Sequence, residues 1–224
     1  AGFRAGFSTT EQVFTLHCII DFFLMKKKKL YCAFIDYEKA FDRVNRSLLW
    51  QKLLASNIDG KILTVIKDLY SKAKSCIKLN NQIYNFFHCN VGVRQGENLS
   101  PLLFALFLND LRGYLATHTV GLSCMKREAE IIDFDDDDVD VLYAMFLLLY
   151  ADDTVICAET PSALQQSLNA LSVYCDKWCL HINVSKTKVI VFSRGKIRNL
   201  PSFAYKGQKI DVVFDFKYLG IVFN

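Results

Sequence analysis

The chain has 224 residues, with 27 Lys and Arg, 23 Asp and Glu and 4 His, for a formal net charge of +4. Apolar residues make up 52% and charged residues 22%, which excludes an intrinsically disordered chain and a collagen-like one. The length predicts a single domain over residues 1–224 with a sizeable buried core.

The charge is unevenly distributed along the chain. Residues 126–140 contain eight acids and two bases, so the other 209 residues carry 25 bases and 15 acids, a balance of +10. A body this basic is compatible with a polyanionic partner, and solubility alone is the alternative explanation. We expect residues 126–140 to form a solvated acidic loop, because a dense run of like charge resists packing.

The cysteines and apolar runs indicate an intracellular protein. Most of the 8 cysteines lie inside apolar runs, which favours buried, reduced thiols. Cys175, Cys179 and His181 have metal-like spacing, but a fourth ligand is not evident, so we expect no zinc there. The longest apolar run, over residues 141–151, is too short to span a bilayer, and no membrane contact is expected.

The first half of the chain mixes helix and strand signals. Ser8 and Glu11 form a capping box, and apolar residues then recur at helical spacing up to residues 26–29. The lysines of that last segment suit the C-terminal end of a helix dipole. The elements predicted next are a strand over 30–36, a helix over 46–56 capped by Asn45, a helix from Asp59 through Lys74, and a β-hairpin over 75–87 that turns at Asn80 and Asn81.

The second half begins with a helix start, with Ser100 as the N-cap and Pro101 in the first turn. Residues 102–115 are apolar on nearly every face, which predicts a buried helix. The elements predicted beyond it are a short strand near 120–124, a hairpin of the runs 146–151 and 154–158, a helix from Thr160 to about Leu180, and strands at 189–192, 202–213 and 217–222. Because helices and strands do not alternate regularly, an α+β fold is favoured.

Three aspartates are the candidates for chemistry. Asp36 closes the first predicted strand, and Asp152 and Asp153 lie at the tip of the later hairpin. Neighbouring side chains of a regular strand face opposite ways, so two adjacent acids can act together only where the chain turns. Three carboxylates in contact stay ionised only when cations screen them, and hard divalent cations take such oxygen ligands. Since Asp-Asp is also a common turn dipeptide, this pattern alone leaves an ordinary turn open.

A series of motifs resembles the reverse transcriptase family, and most closely its non-LTR, LINE-like retrotransposon branch. The matching segments are the early Gly-Phe-Arg segment (2–9), motif A (33–44), motif B (92–96 with 99–104), motif C (150–153), motif D (Asn183, Lys186 and Thr187) and motif E (218–220). Motifs A, B and C in this order are specific together, whereas D and E are weak alone. The resemblance implies the palm of a right-hand polymerase, a ferredoxin-like antiparallel sheet with packed helices, together with partial fingers.

The resemblance also implies a catalytic centre. Asp36, Asp152 and Asp153 would bind two Mg²⁺ or Mn²⁺ ions, and the backbone carbonyl of Tyr37 would add a further metal ligand. Lys186 would be the motif D lysine that protonates the leaving pyrophosphate, with a solvated lysine as the alternative and Lys188 as a competitor.

Further residues would contact nucleotide and template. Phe41 stands where the family places an aromatic steric gate against the ribose 2′-hydroxyl, which predicts deoxynucleotide use, and a core phenylalanine is the alternative. Gln95 and Gly96 would lie against the incoming nucleotide and its template base. Arg94 and Arg4 are candidate contacts to phosphate, base or template, with surface cations as the alternative for both.

The implied activity is that of an RNA-directed DNA polymerase, a nucleotidyltransferase that adds dNTPs to a primer 3′-hydroxyl by a two-metal mechanism. The expected partners are an RNA template, a DNA primer, dNTPs and the rest of a parent polyprotein with an upstream endonuclease, in the nucleus and cytoplasm. The upstream fingers strands and the thumb are absent from the matched motifs, so an inactive retroelement-derived nucleic-acid-binding fragment is one alternative. A group II intron-type maturase reverse transcriptase, which shares the palm motifs, is another.

Overall fold

The computed structural model describes residues 8–122, 147–150, 152–197 and 199–224. The predicted acidic loop over 126–140 and the candidate contact Arg4 lie outside the described residues. The helices are α1 (Thr9–Met25), α2 (Arg46–Ala55), α3 (Gly60–Ser71), α4 (Leu99–Phe107), α5 (Leu111–His118) and α6 (Pro161–Trp178). The strands are β1 (Leu30–Ile35), β2 (Lys74–Ser75), β3 (Lys78–Leu79), β4 (Gln82–Ile83), β5 (Phe87–His88), β6 (Leu147–Tyr150), β7 (Asp153–Ala158), β8 (Lys188–Phe192), β9 (Phe203–Tyr205), β10 (Gln208–Val213), β11 (Phe216–Tyr218) and β12 (Ile221–Phe223).

The chain divides into two compact units. The first is formed by Ala1–Glu38 with Asp110–Asn224, and the second by Lys39–Asn109. The first unit contains a six-stranded sheet in the order β6-β7-β1-β8-β10-β9, and β1 pairs antiparallel with both β7 and β8. β10 runs parallel to β8, because β9 and β10 form a hairpin and β9 takes the outer edge.

The core of the first unit surrounds β1, whose six residues are all buried. A strand covered on both faces reads as a continuous apolar run rather than an alternating one. Phe34 of β1 stacks on Phe216 of the β11–β12 hairpin, with ring centroids 4.7 Å apart. The buried Tyr174 of α6 donates its hydroxyl hydrogen to the Asp110 carboxylate over 2.6 Å, which ties α6 to the start of α5.

The second unit packs α2 against α4 and is stabilised by two cations of α2. Arg46 donates to the backbone carbonyls of Gly92 and Tyr70 over 2.8 and 3.0 Å. Lys52 is only 4% exposed, and its ammonium donates to the Phe107 carbonyl at the end of α4 over 2.6 Å. A cation at a helix C-terminus satisfies a carbonyl that the helix leaves unpaired and complements the dipole.

Some predicted boundaries are wrong. The helix expected over 102–115 is two helices, α4 and α5, because the polar pair Asn109 and Asp110 interrupts the apolar run. Ser100 does not cap α4, which begins one residue before it, and its hydroxyl instead lies 3.1 Å from the Tyr70 hydroxyl. The helix expected to reach Lys74 ends at Ser71, because Lys74 pairs in β2.

The segments 202–213 and 217–222 each contain two strands rather than one. Their tight turns lie at Lys206 with Gly207 and at Leu219 with Gly220, all with positive φ. Glycine adopts such angles without a steric penalty, which lets each chain reverse on itself. The strand expected near 120–124 is not formed at 120–122, and the rest of that segment lies outside the described residues.

The seven described cysteines are all free thiols. Cys32, Cys157 and Cys175 are buried, as predicted, whereas Cys18 and Cys179 are exposed. In the described part of the chain, no helix is both long enough and apolar enough to cross a membrane.

Candidate active site

The pairing of β1 with its neighbour β7 brings two of the predicted acids to one end of the sheet. Ile35 at the end of β1 lies opposite Thr154, so Asp36 follows β1 beside the start of β7, where Asp153 stands. Tyr150 pairs with Asp153 to close the β6–β7 hairpin, and Asp152 lies in the turn. The predicted hairpin is thereby confirmed, and its tip adjoins the end of β1.

The backbone around Asp36 is fixed by the segment of motif D. The Asp36 N–H donates to the Thr187 hydroxyl over 3.2 Å, and the Asn183 N–H donates to the Asp36 carbonyl over 2.8 Å. The Glu38 N–H donates to the His181 carbonyl over 2.8 Å. Thr187 is fully buried, so the bond that its hydroxyl accepts from Asp36 is partly shielded from competing water. The position of Asp36 is therefore set by a loop distant in sequence.

The pKa values of Asp36 and Asp153 reflect the charges of neighbouring carboxylates. Burial raises the pKa of Asp36, the nearby Lys186 opposes that shift, and the charge of Asp152 adds to it. Burial and then the charges of Asp152 and Asp36 raise the pKa of Asp153 to about 6. The Asp153 side chain still reaches solvent, so the atoms around its carboxyl remove only part of its hydration. The carboxylates thus oppose each other's ionisation and favour a cation among them.

Lys186 and Lys188 have different surroundings. The charge of Lys186 acts on Asp36, whereas Lys188 donates to the Asp211 carboxylate and to the Ser185 carbonyl, both over 2.6 Å. Lys188 is therefore held by β10 and the preceding turn. Of the two candidates, Lys186 is the exposed lysine whose charge acts on Asp36.

A cavity of about 390 Å³ adjoins the carboxylates in the first unit. Its polar side includes Asp36, Asp153, Lys186 and Lys188. Its apolar side includes aromatic rings from β1 and the β11–β12 hairpin: Phe34, Phe216 and Tyr218. Burial, with a contribution from the charge of Asp153, raises the pKa of the Tyr218 hydroxyl, which therefore stays protonated. Tyr218 of motif E thus forms part of the cavity wall close to Asp36 and Asp153.

The donor set fits a magnesium-like cation held partly by its substrate. Within the described residues, no three His, Cys, Asp or Glu side chains form a ready-made metal cluster, and this includes the Cys175, Cys179 and His181 group. Mg²⁺ is ordinarily bound by one or two carboxylates, waters and substrate phosphates rather than by a closed protein cage. The Tyr37 side chain is buried in the core, so its backbone carbonyl is the group that could serve as a metal ligand.

In the second unit, motif A and motif B are joined by backbone hydrogen bonds. The Gly92 N–H donates to the Val44 carbonyl and the Val93 N–H to the Phe41 carbonyl, each over 2.9 Å. Gly92 has φ +83°, and a Cβ there would lie 2.6 Å from the Asp42 carbonyl oxygen. Only glycine permits this approach, which is a requirement that the sequence reasoning missed.

The predicted nucleotide contacts of the second unit lie close to that junction. Phe41 stacks on Phe104 with ring centroids 4.9 Å apart, and it is partly exposed. The Gln95 amide donates to the Asp42 carboxylate over 2.9 Å. The unit thus brings Phe41 and Gln95 to one place through Asp42, a residue to which the motifs assigned no role.

Gly96 and Arg94 differ in how open they are to a ligand. Gly96 has φ +84° and open space where a Cβ would stand. Arg94 is paired with the Glu97 carboxylate over 2.5 Å and also donates to the Leu69 carbonyl over 2.8 Å. A phosphate or base would have to compete with these partners, so Arg94 is the weaker of the two candidate contacts.

Comparisons with known proteins point to one family. The family model described as reverse transcriptase (RNA-dependent DNA polymerase) matches residues 1–223. The chain is 30% identical to the probable RNA-directed DNA polymerase from transposon BS of Drosophila melanogaster and 27% identical to the RNA-directed DNA polymerase from mobile element jockey of Drosophila funebris, each over 232 residues. Both matches cover 100% of this chain and 23% of the relative, so the chain spans under a quarter of their length.

Solved structures show the same fold at lower identity. Apo telomerase from Candida tropicalis, truncated from its C-terminal domain, aligns with a TM-score of 0.57 at 18% identity, over 91% of this chain and 38% of that one. Telomerase from Candida albicans in complex with a telomeric RNA fragment also gives 0.57, at 14% identity, over 90% of this chain and 32% of that one. These likenesses concern the fold alone, and they confirm the predicted α+β, palm-type polymerase architecture.

Proposed function

Because this chain belongs to the reverse transcriptase family, as its motifs predicted, we propose that it carries the polymerase centre of a non-LTR retrotransposon RNA-directed DNA polymerase. The observation that carries the proposal is the meeting of Asp36, Asp152 and Asp153 at one end of the sheet. The raised pKa values of Asp36 and Asp153 support it, because each reflects repulsion from a neighbouring carboxylate in addition to burial. A structural turn has no need of three opposed carboxylates.

The carboxylates would hold two Mg²⁺ or Mn²⁺ ions, with the Tyr37 carbonyl as a further ligand. When bound, such ions neutralise the acids and stabilise charge on the transferring phosphate. The contribution of the chain is a fixed backbone at Asp36, which Thr187 and Asn183 hold by hydrogen bonds. Pre-set positions of this kind lower the entropy that the reaction must lose.

The proposed reaction joins a dNTP to a primer. The primer 3′-hydroxyl gives its proton to a solvent water, and its oxygen attacks the α-phosphorus of the dNTP. The bond between that phosphorus and the oxygen bridging to the β-phosphorus breaks, and pyrophosphate leaves. Lys186 would donate a proton to that leaving group, acting as a general acid. Its exposure allows it to reach a phosphate, whereas Lys188 is engaged with Asp211.

Phe41, Gln95 and Gly96 would select the nucleotide. The Phe41 ring rests against Phe104, so it cannot yield easily to an extra hydroxyl group. Its backbone carbonyl accepts a hydrogen bond from the Val93 N–H, which fixes the backbone from which the ring projects. We therefore propose that the enzyme uses deoxynucleotides, with an aromatic ring as the gate.

The proposed partners are an RNA template, a DNA primer, dNTPs and the remainder of a longer polyprotein with an upstream endonuclease. The length of the relatives supports a longer parent protein. The basic balance of +10 outside residues 126–140 supports a polyanionic partner. The proposed location is the nucleus and cytoplasm, as the family resemblance implies.

Primer extension on an RNA template tests the proposal. With labelled DNA primer, dNTPs and Mg²⁺, Asp152→Ala should abolish product formation, because it removes a metal ligand. Asp211→Ala is the matched control, since that exposed acid lies on β10 and pairs with Lys188. Full activity in Asp152→Ala, measured in the parent polypeptide and in this chain, would contradict the assignment.

The same samples test the alternative of an inactive binding fragment. RNA binding that weakens steeply with salt, with no extension by either the chain or its parent, would favour that alternative. Extension that depends on Asp152 would exclude it.

A further inference from the structure

The second unit carries a two-stranded ribbon at residues 74–88, which we call the basic ribbon. Lys74 and Ser75 pair with His88 and Phe87 at its base. Lys78 and Leu79 pair with Ile83 and Gln82 near its tip. Asn80 and Asn81 form the turn with φ of 48° and 62°, the left-handed angles of a tight hairpin turn. The ribbon therefore has a defined shape.

The basic ribbon exposes apolar side chains on both of its faces. Every residue from 77 to 88 is exposed, so neither face is covered. Phe86 is 66% exposed, and its exposed large apolar neighbours are Ile77, Leu79, Ile83, Tyr84 and Phe87. An isolated two-stranded hairpin is only marginally stable in water, and a contiguous exposed apolar patch marks an interaction site.

The charge of this region has one sign. Residues 69–96 contain no Asp or Glu, and they contain four Lys and Arg residues: Lys72, Lys74, Lys78 and Arg94. Lys72 pairs with Asp68, just before the segment, and Arg94 pairs with Glu97, just after it. Lys74 and Lys78 lie on the ribbon itself, and both are exposed. The ribbon thus presents aromatic rings and cations together.

We propose that the basic ribbon binds a single strand of nucleic acid, a contact additional to the catalytic site. Unpaired bases would stack on the exposed rings of Phe86, Phe87 and Tyr84, and the phosphates would pair with Lys74 and Lys78. Stacking platforms flanked by cations are how proteins bind single strands without reading their sequence. This inference rests on the proposed function, which supplies an unpaired template.

The composition of the ribbon favours this occupant over two others. Exposed rings cannot stack on bases that are already paired, so a duplex would leave Phe86 unused. The core of a protein–protein interface is enriched in aromatic residues but depleted in lysine, and the ribbon carries lysine on a strand at each end. A second copy of this chain would also meet the same positive charge.

Fluorescence anisotropy with labelled oligonucleotides tests the stacking. On the Asp152→Ala background, which separates binding from catalysis, Phe86→Ala should weaken binding of single-stranded RNA and DNA roughly 5- to 150-fold. The matched control is Phe14→Ala on α1, because Phe14 is 65% exposed and should leave the affinity unchanged. Binding to a duplex of the same length should change little in either variant.

The salt dependence tests the lysines. Lys74→Gln with Lys78→Gln should lower the slope of log affinity against log salt by about 1.4, which is about 0.7 for each phosphate that no longer has a lysine partner. Lys61→Gln with Lys67→Gln removes the same charge from exposed positions of α3 and should leave the slope unchanged.

Three results would overturn the inference: unchanged single-strand affinity in Phe86→Ala, equal losses in the ribbon variants and their controls, or salt-insensitive self-association that Phe86→Ala abolishes. Failure of the proposed function has a different signature. Primer extension would then be absent while the ribbon variants still weakened strand binding.

Discussion

Replacing Asp153 with Asn should stabilise the metal-free chain at neutral pH. Burial and the charges of Asp152 and Asp36 raise the pKa of Asp153 to about 6, whereas an aspartate in the unfolded chain has an ordinary pKa of ~3.9. A raised pKa means that the folded state disfavours the ionised form. The free-energy cost of ionising Asp153 in the folded state therefore lowers stability in full above pH ~6 and disappears below pH ~4.

The size of the stability gain follows from the pKa shift of Asp153, reduced for its exposure to solvent. A shift of about two pKa units corresponds to roughly 3 kcal/mol if it were fully expressed. Because the Asp153 side chain reaches solvent, screening reduces that figure, and we expect a gain of about 1 kcal/mol. For a chain of this length, about 1 kcal/mol raises Tm by roughly 2–4 °C.

The assay is thermal unfolding in EDTA, followed by circular dichroism from pH 8 to pH 3. The Tm gain of Asp153→Asn should be full at pH 8, fall through pH 6 and vanish near pH 4. The control is Asp211→Asn. The hydrogen bond from Lys188 lowers the pKa of Asp211, so the effect of this substitution on Tm should have the opposite sign. Asp211 contributes stability that is present at neutral pH and is lost progressively as pH falls below the ordinary aspartate pKa, so its substitution should lower Tm at pH 7 and lower it less at pH 3.

Two outcomes would refute this reasoning. A gain for Asp153→Asn that is the same at every pH would indicate a better turn residue rather than relieved repulsion between charges. A loss of Tm at pH 8 would indicate that the carboxylate of Asp153 has a stabilising partner in the folded chain.

Further predictions concern the frame of the site and its cations. Thr187→Val should destabilise the chain by about 1–3 kcal/mol, because it leaves the Asp36 N–H without its acceptor, whereas Thr64→Val at an exposed position should have little effect in denaturant titrations. Lys52→Met should also cost about 1–3 kcal/mol, since the Phe107 carbonyl loses a buried donor, and a lower urea midpoint with an unchanged slope checks it. Mg²⁺ should raise Tm more at pH 8 than at pH 5, because protons compete with the cation for the carboxylates.

Local signals in the sequence were sufficient for the strands that carry the acids. The apolar run at 30–36 predicted β1, and the two runs on either side of Asp152 and Asp153 predicted the β6–β7 hairpin. The capping residues Ser8, Asn45 and Thr160 all accept hydrogen bonds at the starts of their helices. These features depend on side-chain alternation and on backbone donors within a few residues, which a sequence displays directly.

Contacts between distant segments were beyond the reach of those signals. Thr187 is 151 residues from Asp36, and nothing in the pattern around either residue predicts their hydrogen bond. The close approach of Gly92 to Asp42 is a similar case, because a positive φ at glycine is visible only in the folded backbone. Family resemblance marked Thr187 and Gly92 as motif residues but assigned them no structural role.

The backbone that positions the candidate site and the acidic side chains of that site differ in what stabilises them. Asp211 has a cation partner and a lowered pKa, which is typical of an acid that stabilises the fold. Asp36 and Asp153 have raised pKa values, so the folded chain holds their charges at a cost. That cost is offset by backbone hydrogen bonds such as the one from Asp36 to Thr187, which position the acid without neutralising it. A site built in this way would retain affinity for a cation from solution, which the proposed metal-assisted phosphoryl transfer requires.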